Sequence, residues 1–274
     1  MRRMQLYVRE YGTPDGPAVL VLHGVRNHGA RFRRLVDEAL PDARVIAPDL
    51  RGHGRSGWEP PWNTRAHVAD LIATLDGCGV HSPVEVIGHS FGGYLGCALA
   101  AAHPDRVAAL VLLDPASGIS PSVSAAAAAT DVRGEGRAAT WDSFEDARDA
   151  WRAVRPADGM WACDEDLNEF LVAAPDGGYR LNYGREAAIT AWSEMTGLPV
   201  SLGQWRGPTT LVTALRDPYV TARLRTQLRE ELGSQLTEVG IDSGHILMWD
   251  APTETAEVVR AARARHIDAR KLGQ

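Results

Sequence analysis

Ser90 sits in Gly88-His89-Ser90-Phe91-Gly92-Gly93, a G-x-S-x-G pattern. An apolar, β-branched run (Val84–Ile87) precedes it, and a helix-forming run (Tyr94–Ala102) follows. That order predicts a strand, a sharp turn and a helix, the setting in which such a serine acts as a nucleophile. Glycine on both sides lets strand and helix backbones approach without a Cβ between them. The helix N-terminus offers unpaired N–H groups to a developing oxyanion. The chemistry is attack by a hydroxyl on an acyl carbon.

A serine hydroxyl needs a base, and the base needs an acid to fix its tautomer. In this layout the chain order is serine, acid, histidine. His245, in Asp242-Ser243-Gly244-His245, follows the strand expected at 235–241 and is the base. Asp217, in Ala214-Leu215-Arg216-Asp217-Pro218, follows the strand expected at 209–214 and is the preferred acid. Asp114, which also follows a strand, and Asp242 compete for that role. The loop His23-Gly24-Val25 should supply the second oxyanion donor. Val25 and Phe91 are therefore the two expected N–H donors, with Arg26 the fallback for Val25. Arg26 and Trp249 are candidate substrate contacts, one for a carboxylate and one because it follows His245 closely. His23, His53 and His89 read as structural or lining residues.

The elements that must position these groups alternate. Strands are expected at 6–11, 18–22, 44–48, 84–88 and 107–113, and helices at about 31–40, 64–78 and 94–102. The first two strands read as a hairpin-like start around Thr13-Pro14-Asp15-Gly16-Pro17. Thr64 is the expected cap of the helix whose stripe is Val68, Leu71, Ile72 and Leu75. This alternation implies a mainly parallel sheet covered by helices. From Ala116 to about 204 it stops. That stretch carries an alanine run, many acids and the tryptophans Trp141, Trp151, Trp161 and Trp192, with Trp205 at its border. Strands and helices resume at 209–213, 220–232, 235–241 and 253–265, and 266–274 reads as a polar tail. The core is thus 1–115 with 205–274, interrupted by a mostly helical insertion at 116–204.

Composition narrows the class. A net charge of −6 argues against nucleic acid and anionic membrane surfaces as partners. No apolar run approaches a membrane span, and no long apolar segment follows Arg2-Arg3 as a secretory signal would. Cys78, Cys97 and Cys163 are odd in number and far apart, which suggests free thiols in a reducing compartment, the cytoplasm. His23 and His28 lie in a Gly-rich loop without nearby acids in sequence, so neither a metal nor any other cofactor is expected. The expected partner is a small acyl substrate, and the sequence leaves monomer and homodimer open.

With these residues in place, the sequence resembles the α/β-hydrolase superfamily. The resemblance rests on His23-Gly24, Asp49-Leu50-Arg51-Gly52-His53-Gly54-Arg55-Ser56, Gly88–Gly93, the Pro208 to Asp217 segment and Gly244-His245, and spans nearly the whole chain. It implies an α/β fold with a mostly parallel, doubly wound, eight-stranded sheet. It also makes 116–204 a helical cap over the active site. Relatives often carry glycine where this chain has Ala214, and small or apolar residues where it has Arg26. Relatives that open epoxides or displace halide use aspartate at the elbow, so Ser90 points elsewhere. The resemblance implies hydrolysis of a carboxylic ester by a serine esterase or lipase. Thioester cleavage, carbon–carbon bond hydrolysis and perhydrolysis are alternatives on the same triad. A non-catalytic small-molecule receptor is the other class.

Overall fold

The computed structural model describes residues 4–135, 139–153, 161–175 and 177–272. The side chains of 161–163, and with them Trp161 and Cys163, lie outside the described residues. A seven-stranded sheet forms the centre, in the order β1-β3-β2-β4-β5-β8-β9. Its strands are β1 (Val8–Gly12), β2 (Ala18–Leu22), β3 (Arg44–Pro48), β4 (Val84–His89), β5 (Val107–Leu113), β8 (Thr209–Ala214) and β9 (Leu236–Ile241). Every neighbouring pair is parallel except β1 with β3. Seven strands replace the eight implied by the resemblance, among the described residues.

The expected hairpin of the first two strands does not form. β1 pairs with β3, Val8 opposite Pro48, while β2 lies between β3 and β4. The reason is side-chain polarity. Ala18–Leu22 is apolar and buried, which suits an interior strand, whereas Val8-Arg9-Glu10-Tyr11 is half-exposed and suits the edge. β4 and β5 are mostly apolar and lie in the interior of the sheet, so the strand that delivers Ser90 is paired on both sides.

Helices α1 (Arg33–Ala39), α2 (Thr64–Gly77), α3 (Phe91–Ala102), α8 (Ala222–Leu232) and α10 (Pro252–Leu272) surround the sheet, with a single turn, α9 (Leu247–Asp250), leading into the last of them. α1 packs with α10, and α2 with α3. α2 buries Val68, Leu71, Ile72 and Leu75, but its cap is Asn63, whose side chain accepts from the Ala66 N–H at 3.0 Å. Thr64 instead bonds Glu194 and Tyr94. α8 buries Leu224, Leu228 and Leu232 at helical spacing and is capped by Thr221. α10 runs to Leu272, so the expected polar tail is largely the end of this helix. Among the described residues no helix is long and apolar enough to cross a membrane.

Between β5 and β8 lie α4 (Pro121–Arg133), α5 (Phe144–Ala153), α6 (Trp161–Phe170), α7 (Arg185–Glu194) and a small antiparallel pair, β6 (Leu171–Ala173) with β7 (Tyr179–Leu181). Ser120 caps α4, which packs against α7. Trp151, Trp192 and Trp205 are buried. The Trp205 indole donates to the Val107 carbonyl at 2.9 Å and pins the returning chain to the start of β5.

Candidate active site

Ser90 is the turn between β4 and α3. Its backbone lies at φ 55, ψ −117, a conformation that L-residues adopt only when their surroundings impose it. The surroundings here are glycines. A Cβ on Gly88 would meet the Gly92 carbonyl, and one on Gly92 would collide with the carbonyl of Leu22 on β2. Strand and helix therefore close up with no side chain between them. Ser90 is 4% exposed and lines a cavity of about 130 Å³ with Gly24, Val25, Arg26, Asn27, His89, Trp192, His245 and Ile246. Phe91 is the first residue of α3, where the N–H has no intrahelical acceptor.

His245 reaches the same cavity from the loop after β9. Its Nδ1 lies 2.6 Å from Asp114 Oδ2, so Nδ1–H donates to the carboxylate and Nε2 is left as the acceptor. Asp114 is fully buried at φ 43, immediately after β5. Its carboxylate also accepts from the N–H groups of Ala214 (3.3 Å) and Tyr219 (3.0 Å). Three donors thus hold a carboxylate that is closed off from the surface. The Tyr219 ring packs on His245 at 4.3 Å between centroids. On its other side His89 Nε2–H donates to the His245 carbonyl at 2.8 Å.

The acid preferred from sequence is therefore corrected. Asp217 is exposed, and it is Asp114 that bonds the histidine. The end of β8 gives Asp114 the N–H of Ala214 and the loop beyond Asp217 gives it the N–H of Tyr219, while Asp217 itself is exposed. Asp242 is also exposed and sits 3.5 Å from Arg216. Of the two candidate substrate contacts, Arg26 lines the cavity beside Ser90 and Trp249 does not. The Arg26 guanidinium is committed to Asp131, with Nε at 3.0 Å from Oδ1, and to the Ala127 carbonyl and Thr130 hydroxyl. Its own N–H donates to His53 Nε2 at 3.1 Å, which removes it as the fallback oxyanion donor. Trp249 is buried beneath the Arg31 guanidinium, 3.9 Å from its ring, and lines a separate hollow of about 550 Å³ beside β1 and α6. Ser90 and His245 do not line that hollow.

Two buried histidines staple the loop that faces Ser90. His23 Nδ1–H donates to the Gly24 carbonyl, and Nε2 accepts from the Leu50 N–H. His53 Nδ1–H donates to the Arg51 carbonyl while Nε2 accepts from Arg26. Each is locked in a neutral tautomer. Burial pushes His53 down to about 4, and burial with the nearby His53 pushes His23 well below the ordinary histidine value. His28, expected to stand without acidic company, meets Asp166 of α6 at 2.7 Å, a carboxylate that Arg31 also holds. Among the described residues no group of three or more His, Cys, Asp or Glu is arranged to hold a metal.

Comparison with known proteins follows this geometry. The family model described as the alpha/beta hydrolase fold matches residues 17–252. The chain is 41% identical to Lipase LipV of Mycobacterium tuberculosis over 94% of this chain and 97% of that protein. It is 25% identical to Esterase YbfF of Escherichia coli over 90% of this chain and 92% of that one. Among solved structures, E-2-(acetamidomethylene)succinate hydrolase superposes with a TM-score of 0.81 at 21% identity, covering 95% of this chain and 96% of that one. That last likeness concerns the fold alone. The match along the chain, the sheet order and the serine on its strained turn agree, and this chain belongs to the α/β-hydrolase fold family.

Proposed function

We propose that this chain hydrolyses a carboxylic ester through Ser90, His245 and Asp114 and an acyl-enzyme intermediate. The observation that carries the reading is the 2.6 Å bond from His245 to the buried Asp114, with Ser90 and His245 on the walls of one cavity. Similarity along nearly the full length to proteins named lipase and esterase supports an ester as the substrate.

Ser90 Oγ attacks the acyl carbon while His245 Nε2 takes its proton. Asp114 stabilises the imidazolium that results. The N–H groups of Phe91 and Val25 face the oxyanion. His245 then gives its proton to the leaving alcohol and takes one from water, and the hydroxide formed releases the acid. Residues 116–204 act as a cap: α7 brings Trp192 to the cavity, and α4 grips the Arg26 loop through Asp131. The free thiols of Cys78 and Cys97 fit a reducing compartment such as the cytoplasm.

The test is turnover of p-nitrophenyl esters by Ser90→Ala. The expected loss is at least about 10⁴-fold with the fold retained by circular dichroism. Activity near that of the unaltered protein would sink the mechanism. Labelling of Ser90 by a fluorophosphonate, read by mass spectrometry, checks the nucleophile separately.

A further inference from the structure

The loop 24–27 lines the cavity together with Ser90 and lies hard against it. A Cβ added at Gly24 would stand 3.0 Å from Ser90 Cβ and 3.5 Å from Ser90 Oγ. At that closeness a small shift of the loop is felt at the nucleophile. Arg26 in the same loop lies at φ 59, a left-handed conformation that a long side chain keeps only where its surroundings impose it.

The surroundings come in large part from the insertion. The Arg26 guanidinium reaches the last two turns of α4. Its Nε lies 3.0 Å from Asp131 Oδ1, and one Nη donates to the Ala127 carbonyl at 2.7 Å and to the Thr130 hydroxyl at 2.8 Å. Asp131 is fully buried. A cation beside the final turns also meets the negative end of the helix dipole. The contacts close into a ring. Tyr183, from the same insertion, donates its hydroxyl to Asp131 Oδ1 at 2.9 Å, and its ring stacks along His53 at 6.2 Å between centroids. His53 Nε2 accepts the Arg26 backbone N–H at 3.1 Å. Arg26 is thus fixed at its backbone and at its far end, the latter by a carboxylate 105 positions along the chain.

Building on the ester hydrolase reading, in which the Val25 N–H meets the oxyanion, we infer that Asp131 is a positioning residue for the reaction. Asp131 does not line the cavity. It acts through Arg26, whose anchored side chain holds loop 24–27 against Ser90. The seating of α4 on the core is then a condition for turnover and not only a cover for the substrate.

The experiment measures kcat and KM on p-nitrophenyl butyrate for Asp131→Asn, Arg26→Gln and the two changes combined. Outright loss of one oxyanion donor costs about 10²–10³ in kcat, and a displaced donor costs part of that. Each single change should lower kcat about tenfold or more while KM moves by less than about threefold. The combined variant should fall no further than about threefold below the worse single one, since the two residues act as a unit. It leaves no buried charge alone, and it carries the test if circular dichroism shows Asp131→Asn unfolded. Glu169→Gln cuts a different tie between insertion and core, the 2.9 Å pair with Arg9 beside the other hollow. Its kcat should stay within about twofold. The inference is overturned by a kcat within about threefold in the Asp131 variant, or in the combined variant where that one unfolds. Single effects that multiply, a fall carried by KM alone, or an equal fall in Glu169→Gln overturn it too. The rate of fluorophosphonate labelling at Ser90 separates the inference from the ester reading. Labelling without ester turnover in the unaltered protein retires the ester reading. Labelling about tenfold slower in Asp131→Asn then keeps the inference, and an unchanged rate overturns it. Neither labelling nor turnover overturns both.

Discussion

Asp114 and Asp217 follow neighbouring parallel strands, β5 and β8, and both loops lie at the carboxyl end of the sheet. One is fully buried and accepts from His245, Ala214 and Tyr219. The other is exposed. The difference does not lie in the residue type or in its distance along the chain from a strand. It lies in which backbone N–H groups point at the carboxylate. The last residue of β8 and Tyr219 of the loop after it donate their N–H groups onto Asp114, and the loop leaves its own aspartate exposed. A second pair repeats the contrast. Asp131 is buried against Arg26, while Asp242 stands in solvent near Arg216.

Asp114→Asn should break the comparison with the largest effect. An amide in that place offers N–H to Nδ1 and favours the tautomer with its proton on Nε2, where the base is needed. The expected fall in kcat is about 10⁴-fold, measured on p-nitrophenyl esters, with little change in KM. A fall confined to Asp217→Asn would reverse the assignment.

Arg26→Met comes next and concerns stability. It leaves the Asp131 carboxylate buried with only the Tyr183 hydroxyl and its neighbours, and should cost about 3 kcal/mol in urea unfolding. An equal loss from Arg216→Met would erase the distinction between the buried and the exposed pair.

Burial also sets a pH dependence behind the site. His67 packs edge-on against Phe91, and burial pushes it down to about 3, as it pushes His53 to about 4. Both are depressed in the folded state. Below the unfolded value near 6.5 the unfolded chain binds the extra protons, so stability falls as pH drops from about 6.5 toward 4. Each histidine contributes up to about 1.4 kcal/mol per pH unit in that window. His67→Phe should flatten the slope by one such share in unfolding curves taken at a series of pH values. An unchanged slope would mean that His67 titrates normally.

The smallest effect is expected at the exposed partner of the comparison. Asp217→Asn should alter stability by less than about 0.5 kcal/mol, since a surface substitution away from any buried network seldom does more. Its kcat should stay within about twofold, under 0.5 kcal/mol of barrier. Thermal melts and the same ester assay read both.

Much of the site was legible because its parts are local. The run from Val84 to Ala102 carries its own strand pattern, its glycines and its helix, so Ser90 on a strand–helix turn could be read from neighbours alone. His23-Gly24 and Gly52-His53-Gly54 could be marked as loop residues, but their stapling of one loop to the other depends on contacts across 27 positions. Asn27 carried no signal of its own. Its place on the wall beside Ser90 follows from the fold of a loop between β2 and α1. The first two strands show the same limit: the turn residues between them helped mark them as strands, but their partners were set by which one could bear burial on both faces.

By itself the sequence marked Ser90 on a strand–helix turn, His245 in the loop after the last strand, the order of strands and helices and the stretch that interrupts their alternation. Each is written in short-range pattern: glycine spacing, apolar runs and polar loops. Only the tertiary structure decided that Asp114 holds His245, that Arg26 is spent on Asp131, and that Trp249 belongs to another hollow. The physical reason is common to all three. A charged or polar side chain takes the partner that burial brings to it, and burial depends on how distant segments close over one another.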